Sequence, residues 1–415
     1  MSDPKIRDIR TILTQPDNNA LTVVKVETTE PGLYGLGCAT YDRQPFTVKT
    51  AVDEYLRPFL IGRSVSDIED IWQSANVSSY WRNGTVLGDA LSGVDQALWD
   101  IKGKMADMPV YDLLGGRARE AAAVYVHPSG PDNEAVEDQV RAYIEQGFHY
   151  LRVQVETPGY QTYGAQGAGE VSGRAGTMGG PRAVTAWRGG IFEPRPYMNS
   201  ALSLFDHLRS KVGWDFEMLH DVHERIPAID GVWLAKEVEQ YRLFFLEDLF
   251  TPEDQDYFRQ VREICTTPIA MGELWSNPHE IIPMVRDRLV DYIRIHVSRV
   301  GGLTPCRKYA ALSEMFGVRT VWHGPSGTSP VGHAANLMLE LNTWNFGVHE
   351  WAVFPERTRE VFPGSPEVRD GHMWPNGKPG LGIDMDEKLA AKYPIQERDM
   401  FRELVRRADG AIVRP

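Results

Sequence analysis

The segments EMLHD (217–221), LFFLE (243–247) and PIAMGE (268–273) each run through a few apolar residues and close on a carboxylate. The three acids, Asp221, Glu247 and Glu273, are separated by 26 residues and again by 26. One strand–helix repeat of a (β/α)8 barrel takes about that much chain, so the spacing predicts an acid at the C-terminal tip of three successive strands. That is the face on which such barrels keep their chemistry. Converging carboxylates repel, by about 4 kcal/mol per pair at ~4 Å and an effective dielectric of ~20. They stay ionised together around a cation, and an all-oxygen set suits Mg2+, which leaves positions open for water or substrate. The competing reading is three unrelated surface acids in a chain that carries 57 of them. Equal spacing and a shared local context favour the metal.

The rhythm extends in both directions. AAAVYVH (121–127), HYLRVQVE (149–156), DFEMLHDVH (215–223), LFFLED (243–248), PIAMGE, DYIRIHV (291–297), VRTVWHG (318–324) and FGVHEWA (346–352) read as eight strands. Between them lie helical patterns, among them 133–146 with Asn133 as its cap, 201–211, 231–240, 253–264, 278–287, 304–316 and 331–341. Short apolar strands alternating with helices predict an α/β fold with a (β/α)8 TIM-like barrel over 121–370. Residues 1–120 do not follow this rhythm. LTVVKVET (21–28) and LYGLGCAT (33–40), joined by TEPG, predict a hairpin, and Asp89–Lys104 predicts an amphipathic helix. These features describe an α+β N-terminal capping domain, completed by a polar segment, 371–415, that packs back on it. No helix start follows the glycines of GLYGLG (32–37), so they read as turn and strand geometry instead of a dinucleotide loop. Residues 157–200 are dense in Gly, Pro and Arg, and their place on the catalytic face predicts a lid.

Composition narrows the function. A net charge of −13 argues against a nucleic-acid partner but not against a small anionic substrate, which feels the local field. No run approaches the ~18 apolar residues of a membrane span, and the first residues lack a signal-peptide pattern. Cys38, Cys265 and Cys306 are odd in number and far apart, as expected of reduced core thiols in a cytoplasmic protein. Between Met105 and Arg307 the only lysines are Lys211 and Lys236, and neither falls at a strand tip. That excludes Schiff-base chemistry and a lysine base. No G-x-S-x-G elbow supports a serine hydrolase, and an all-carboxylate ligand set does not suit a zinc hydrolase.

The segment ALSGVDQALWDIKGKMADMPVYDLLGG (90–116) resembles the helix that closes the N-terminal domain in the enolase superfamily, and the strand-tip triplet resembles that superfamily's Mg2+ site. HDVHER (220–225), HVSRVGGLTP (296–305) and HGPSGTSPVGHAAN (323–336) resemble the strand-end motifs of its mannonate dehydratase group, which includes proteins named starvation-sensing. The resemblance runs over nearly the whole chain. It implies removal of a proton α to a carboxylate, an enediolate held by Mg2+, and loss of the β-hydroxyl to leave a 2-keto-3-deoxy sugar acid; enolase-superfamily sites with a Lys or His base and Mg2+ are a known pattern. The implied partner is a small anionic sugar acid, and the protein is expected to be a homo-oligomer.

The resemblance also implies roles. Asp221, Glu247 and Glu273 hold Mg2+. His223 lies two residues beyond Asp221, so on a strand both face inward, which positions its imidazole to protonate the departing hydroxyl; the alternative is a packed barrel histidine. Arg152 stands where relatives carry a lysine and is expected to lower the pKa of a loop tyrosine that acts as base. Tyr163 is that candidate, and Tyr160 competes for the role. His323, at the seventh strand tip, is assigned to substrate binding before base catalysis, because His296 occupies the position of the aspartate that orients it in racemase-like relatives. His127, Arg294 and Glu350 are expected to contact the sugar acid, or else to serve salt-bridge or core roles. Asp42 falls where the capping domain should close over the barrel, in a YDRQ segment that departs from the group's asparagine-containing loop. Gly327 replaces the aspartate of H-G-P-x-D and so removes a contact to one substrate hydroxyl. A dehydratase of mannonate or gluconate, an epimerase or cycloisomerase using the same enolate, and a weakly active or regulatory relative are the readings that remain.

Overall fold

The computed structural model describes residues 3–40, 44–157, 192–396, 406–407 and 409–413. The chain forms two compact units interleaved in sequence. The first comprises Met1–Ala123, Gly272–Arg288 and Ile293–Phe401; the second comprises Val124–Met271, Leu289–Tyr292 and Arg402–Pro415.

In the first unit the strands Ile6–Thr14, Leu21–Thr28 and Tyr34–Cys38 form an antiparallel meander. The sequence reading found the hairpin and missed the first strand. A register shift between Ile6 and Asp8 breaks its alternation, so only Ile6, Ile9 and Thr14 are buried in it. Four helical segments follow: Pro45–Thr50, a π-turn at Ala51–Leu56, Arg57–Leu60 and Ile68–Val77. The helix Thr85–Ala106 then lies across the meander and closes a core of Ile9, Val24, Val26, Val52, Val94, Leu98 and Ile101. Its approach explains the glycines of the hairpin. A Cβ at Gly35 or Gly37 would stand 1.9 or 2.0 Å from the carbonyl oxygens of Ala97 and Gly93. These glycines therefore serve packing, as their strand setting predicts.

The same helix buries three carboxyls, Asp89, Asp95 and Asp100. Asp100 accepts from the backbone N–H of Leu36 and of Leu381 and pairs with Lys104 at 2.7 Å. It thereby ties the meander to the C-terminal stretch, where Glu387 also takes Arg10 and Lys25, and Asp384 takes the Tyr34 hydroxyl. Asp95 accepts from the Thr304 N–H at 3.0 Å, an approach that needs glycine at Gly302. Burial raises the Asp95 carboxyl to about 7, against the opposing pull of Thr304. Its folded pKa therefore lies above the unfolded value of about 3.9, so the folded state holds the extra proton and stability falls as pH rises from ~4 to ~7. Asp95→Asn keeps the acceptor and removes the charge. Its stability advantage over wild type should grow across that window and then level, at no more than about 4 kcal/mol for three pKa units. Scanning calorimetry at pH 4 and pH 8 checks the sign.

Also within the first unit, parallel hydrogen bonds link Val321 to Ile293, His323 to Ile295, and Thr320 to Asn345. These are the last three predicted strands, short at Tyr292–Ile293, Arg319–Thr320 and His349–Glu350, with the helices Leu303–Met315 and Pro330–Asn342 between them. The helix Pro278–Arg286 starts on a capping box of Asn277 and Glu280.

The second unit holds a parallel sheet in the order Ala122–Val126, Tyr150–Arg152, Glu217–Asp221, Phe245–Glu247 and Ile269–Met271. The intervening helices are Asn133–Glu145, Pro194–Lys211, Ala228–Glu237 and Tyr257–Ile264. Two boundaries differ from expectation. The cap of the first helix is Asp132, whose carboxylate accepts from Ala135 N–H, so Asn133 is already helical. The second helix begins at Pro194 instead of 201, because proline at the first position needs no N–H partner. Most of the predicted lid, residues 158–191, lies outside the described residues. Among the described residues no helix is long and apolar enough to cross a membrane.

Candidate active site

In the second unit, Asp221 and Glu247 are register partners on adjacent parallel strands, so their side chains leave the sheet on the same face. The next residue, Asp248, would alternate away in a continuing strand. It instead takes a left-handed backbone, φ 43°, and its carboxylate stays with the other two. Asp221, Glu247 and Asp248 are buried and offer ligand oxygens that all lie within 4.8 Å of one another. Arg152 is the adjacent cation. Its Nη1 stands 2.7 Å from Glu247 Oε1 and 3.4 Å from Asp221 Oδ2, and its guanidinium lies over the Tyr125 ring. The Tyr125 hydroxyl reaches Glu247 Oε2 at 3.4 Å. Neither side-chain oxygen of Asp221 accepts a hydrogen bond, an expensive state for a buried carboxylate. Three hard oxygen donors with one guanidinium beside them fit a divalent cation, Mg2+ in particular.

Glu273 was expected as the third member of this cluster. It lies in the first unit, two residues beyond its strand, and is engaged there by Arg294 Nη1 at 2.5 Å. Arg294, fully buried, also donates from Nη2 to Glu350 Oε2 at 2.5 Å, and Gly324 N–H donates to the same oxygen at 3.2 Å. His323 Nε2 sits 3.2 Å from Glu273 Oε2 and 3.5 Å from Glu350 Oε2. The sequence therefore named residues that the fold assembles into two groups: Asp221, Glu247 and Arg152 in one unit, and Glu273, Arg294, His323 and Glu350 in the other.

His296 was read as leaving His323 without an orienting partner. The structure corrects this, since the two Nδ1 atoms are 2.9 Å apart. Burial pushes His323 down to about 4, against the upward pull of Glu273, and pushes His296 well below its ordinary value. With both rings neutral, a carboxylate facing Nε2 places the His323 proton there, and its Nδ1 accepts from His296. The lone pair on Nδ1 is then occupied and the proton sits on Nε2, so the ring can donate a hydrogen bond from Nε2 but has no free nitrogen to act as a base.

His223 also departs from expectation. The strand ends at Asp221, and His223 and Glu224 both take left-handed backbone, φ 54° and 58°, so strand alternation does not govern where the imidazole points. Its side chain is buried nonetheless. Non-glycine residues in this region cost of order 1–3 kcal/mol each and collect at functional sites. Three of them, His223, Glu224 and Asp248, directly follow the metal-binding strand ends. His127 follows the first strand, its ring edge-on to Tyr125 at 5.4 Å. Tyr163, Tyr160 and Asp42 lie outside the described residues. Sequence reasoning missed Asp248, although its adjacency to Glu247 in LFFLED was a signal.

Comparison with known proteins identifies the family. Residues 135–389 match the family model "Enolase C-terminal domain-like", and residues 2–115 match "Mandelate racemase / muconate lactonizing enzyme, N-terminal domain". A D-galactonate dehydratase family member from Salmonella virchow is 49% identical with both chains covered in full. One from Enterocloster bolteae is 45% identical, again over the whole of both chains. The crystal structure of an enolase from Pantoea ananatis with bound D-gluconate and Mg superposes with a TM-score of 0.91 at 47% identity, covering 99% of this chain and 100% of that one. The fold is thus α/β, an N-terminal capping domain with a barrel-like enolase C-terminal domain.

Proposed function

Since the chain belongs to the D-galactonate dehydratase family of the enolase superfamily, we propose that it is an Mg2+-dependent acid-sugar dehydratase acting on an aldonate such as D-mannonate or D-gluconate. The observation that carries this reading is the buried, all-carboxylate cluster of Asp221, Glu247 and Asp248 at the ends of parallel strands. Glu273 remains a rival for the third ligand on its 26-residue spacing alone. Bound Mg2+ supplies Lewis-acid stabilisation of charge growing on the substrate carboxylate, worth several kcal/mol.

The chain's own residues supply the rest. Tyr163 takes the α-proton, as the resemblance implies, and Tyr160 is the substitute should Tyr163 fail. His223 donates a proton to the departing β-hydroxyl. Arg294 and His323 donate to the sugar acid's oxygens, Glu350 accepts from its hydroxyls, and the resemblance assigns His127 and Asp42 to substrate binding as well. The three buried free thiols support a reducing, cytoplasmic setting. The edge-on Tyr80–Trp81 pair, each 80% exposed, supports a homo-oligomer.

Gly327 favours a second reading, a weakly dehydrating or regulatory relative, because an aspartate at this position would hold one substrate hydroxyl. Incubation with Mg2+ and a panel of aldonic and aldaric acids, with 2-keto acid trapped as the semicarbazone, decides between them. Keto acid from one epimer is the expected result, and Tyr163→Phe should then stop α-deuterium exchange. Exchange without keto acid points to an epimerase. Neither signal from any acid sugar rejects the dehydratase.

A further inference from the structure

HGPSGTSPVGHAAN contains two histidines, and the proposed chemistry uses only His323. The second, His333, lies on the helix Pro330–Asn342, one heptad before Glu340, so both face the same side of that helix. Both are fully buried, as is His349 on the last strand. The three are joined in series: Glu340 Oε1 lies 2.5 Å from His349 Nδ1, and His349 Nε2 lies 2.8 Å from His333 Nδ1. A carboxylate only accepts, so His349 carries a proton on Nδ1. Trp351 and Phe354 pack edge-on against the His333 ring. A carboxylate and two imidazoles placed at zero exposure carry a desolvation cost that packing alone would avoid with apolar residues.

Their position supplies the reason. Both rings lie against Gly324, the residue after His323. A Cβ there would meet the Glu350 carbonyl oxygen at 2.5 Å, His333 Cε1 at 2.9 Å and His349 Cε1 at 3.1 Å. The Gly324 N–H in turn donates to Glu350, the residue after His349 and a partner of Arg294. The series therefore bears on the backbone that carries His323 and on the strand that carries Glu350.

We propose that Glu340, His349 and His333 are positioning residues: a buried relay that sets the height of Gly324 and so holds His323 on Glu273 and Glu350 on Arg294. The catalytic consequence rests on the dehydratase reading; the structural one does not. The test uses the full-length enzyme with Mg2+ and two variants, His333→Leu and Glu340→Gln. The second keeps an acceptor at the same reach, so it remains informative if the first does not fold. Histidine side-chain NMR, with the His323 signal assigned from His323→Asn, should show that signal displaced in each folded variant. On the aldonate that wild type turns over, kcat should fall by about tenfold or more, since a misplacement near 1 Å can cost 10²-fold. KM should rise as well, since His323 and Glu350 are assigned to the sugar acid, while Mg2+ affinity should stay within about twofold, because Asp221, Glu247 and Asp248 are untouched. An unmoved His323 signal in folded Glu340→Gln overturns the proposal, even if Tm drops. If wild type turns over no aldonate, the dehydratase reading fails while the His323 signal still decides the relay.

Discussion

Glu247→Gln is expected to abolish Mg2+ binding and, with it, turnover. The substitution changes one oxygen for an amide nitrogen in a cluster whose three carboxylates lie within 4.8 Å. The amide cannot coordinate through nitrogen, and it turns a donor toward Arg152, 2.7 Å from the oxygen it replaces. Loss of an outer-shell partner typically weakens a metal about 10–100-fold, so loss of a ligand should exceed that range. Titration calorimetry with Mg2+ alone gives the affinity, and the rise in Tm that Mg2+ produces in wild type should vanish in the variant. Retained affinity would remove the metal from the proposal. The same titration identifies the third ligand. If Asp248→Asn loses Mg2+ and Glu273→Gln keeps it, the third ligand is Asp248; the opposite pattern returns the role to Glu273.

Arg294→Met should be the most destabilising single change in the first unit. Arg294 is fully buried and donates to Glu273 and Glu350 at 2.5 Å each. Methionine fills much of the volume and leaves both carboxylates without their cation. Breaking a buried pair from one side costs about 3–5 kcal/mol. For a domain of ~150–250 residues that corresponds to a Tm lowered by roughly 6–20 °C. Calorimetry without Mg2+ measures it. A loss below ~1 kcal/mol would place Arg294 among the pairs whose attraction only offsets their desolvation.

Much of this site was legible because strand periodicity and repeat length are local properties. The spacing of Asp221 and Glu247 anticipates their pairing in register, and Arg152 one strand earlier falls beside both. Legibility ends where the backbone leaves the strand. His223 was read by alternation and Asp248 was missed; both sit at positive φ, and such a turn redirects a side chain without any mark in the hydrophobic pattern. The strand Ile6–Thr14 was hidden for a related reason, a register shift that spoils its period of two. The partners of Glu273 could not be read at all, since Arg294 and His323 reach it only through tertiary folding. His296 shows the same limit. The sequence revealed the missing aspartate but not that an imidazole could orient its neighbour instead.

Arg152 has one further consequence. Its guanidinium already serves the acid cluster as a built-in counterion, so taking up a divalent ion there is an exchange of cations, not a simple addition. The attraction gained from the incoming ion is partly offset by the arginine contact given up, which moderates affinity and keeps loading reversible.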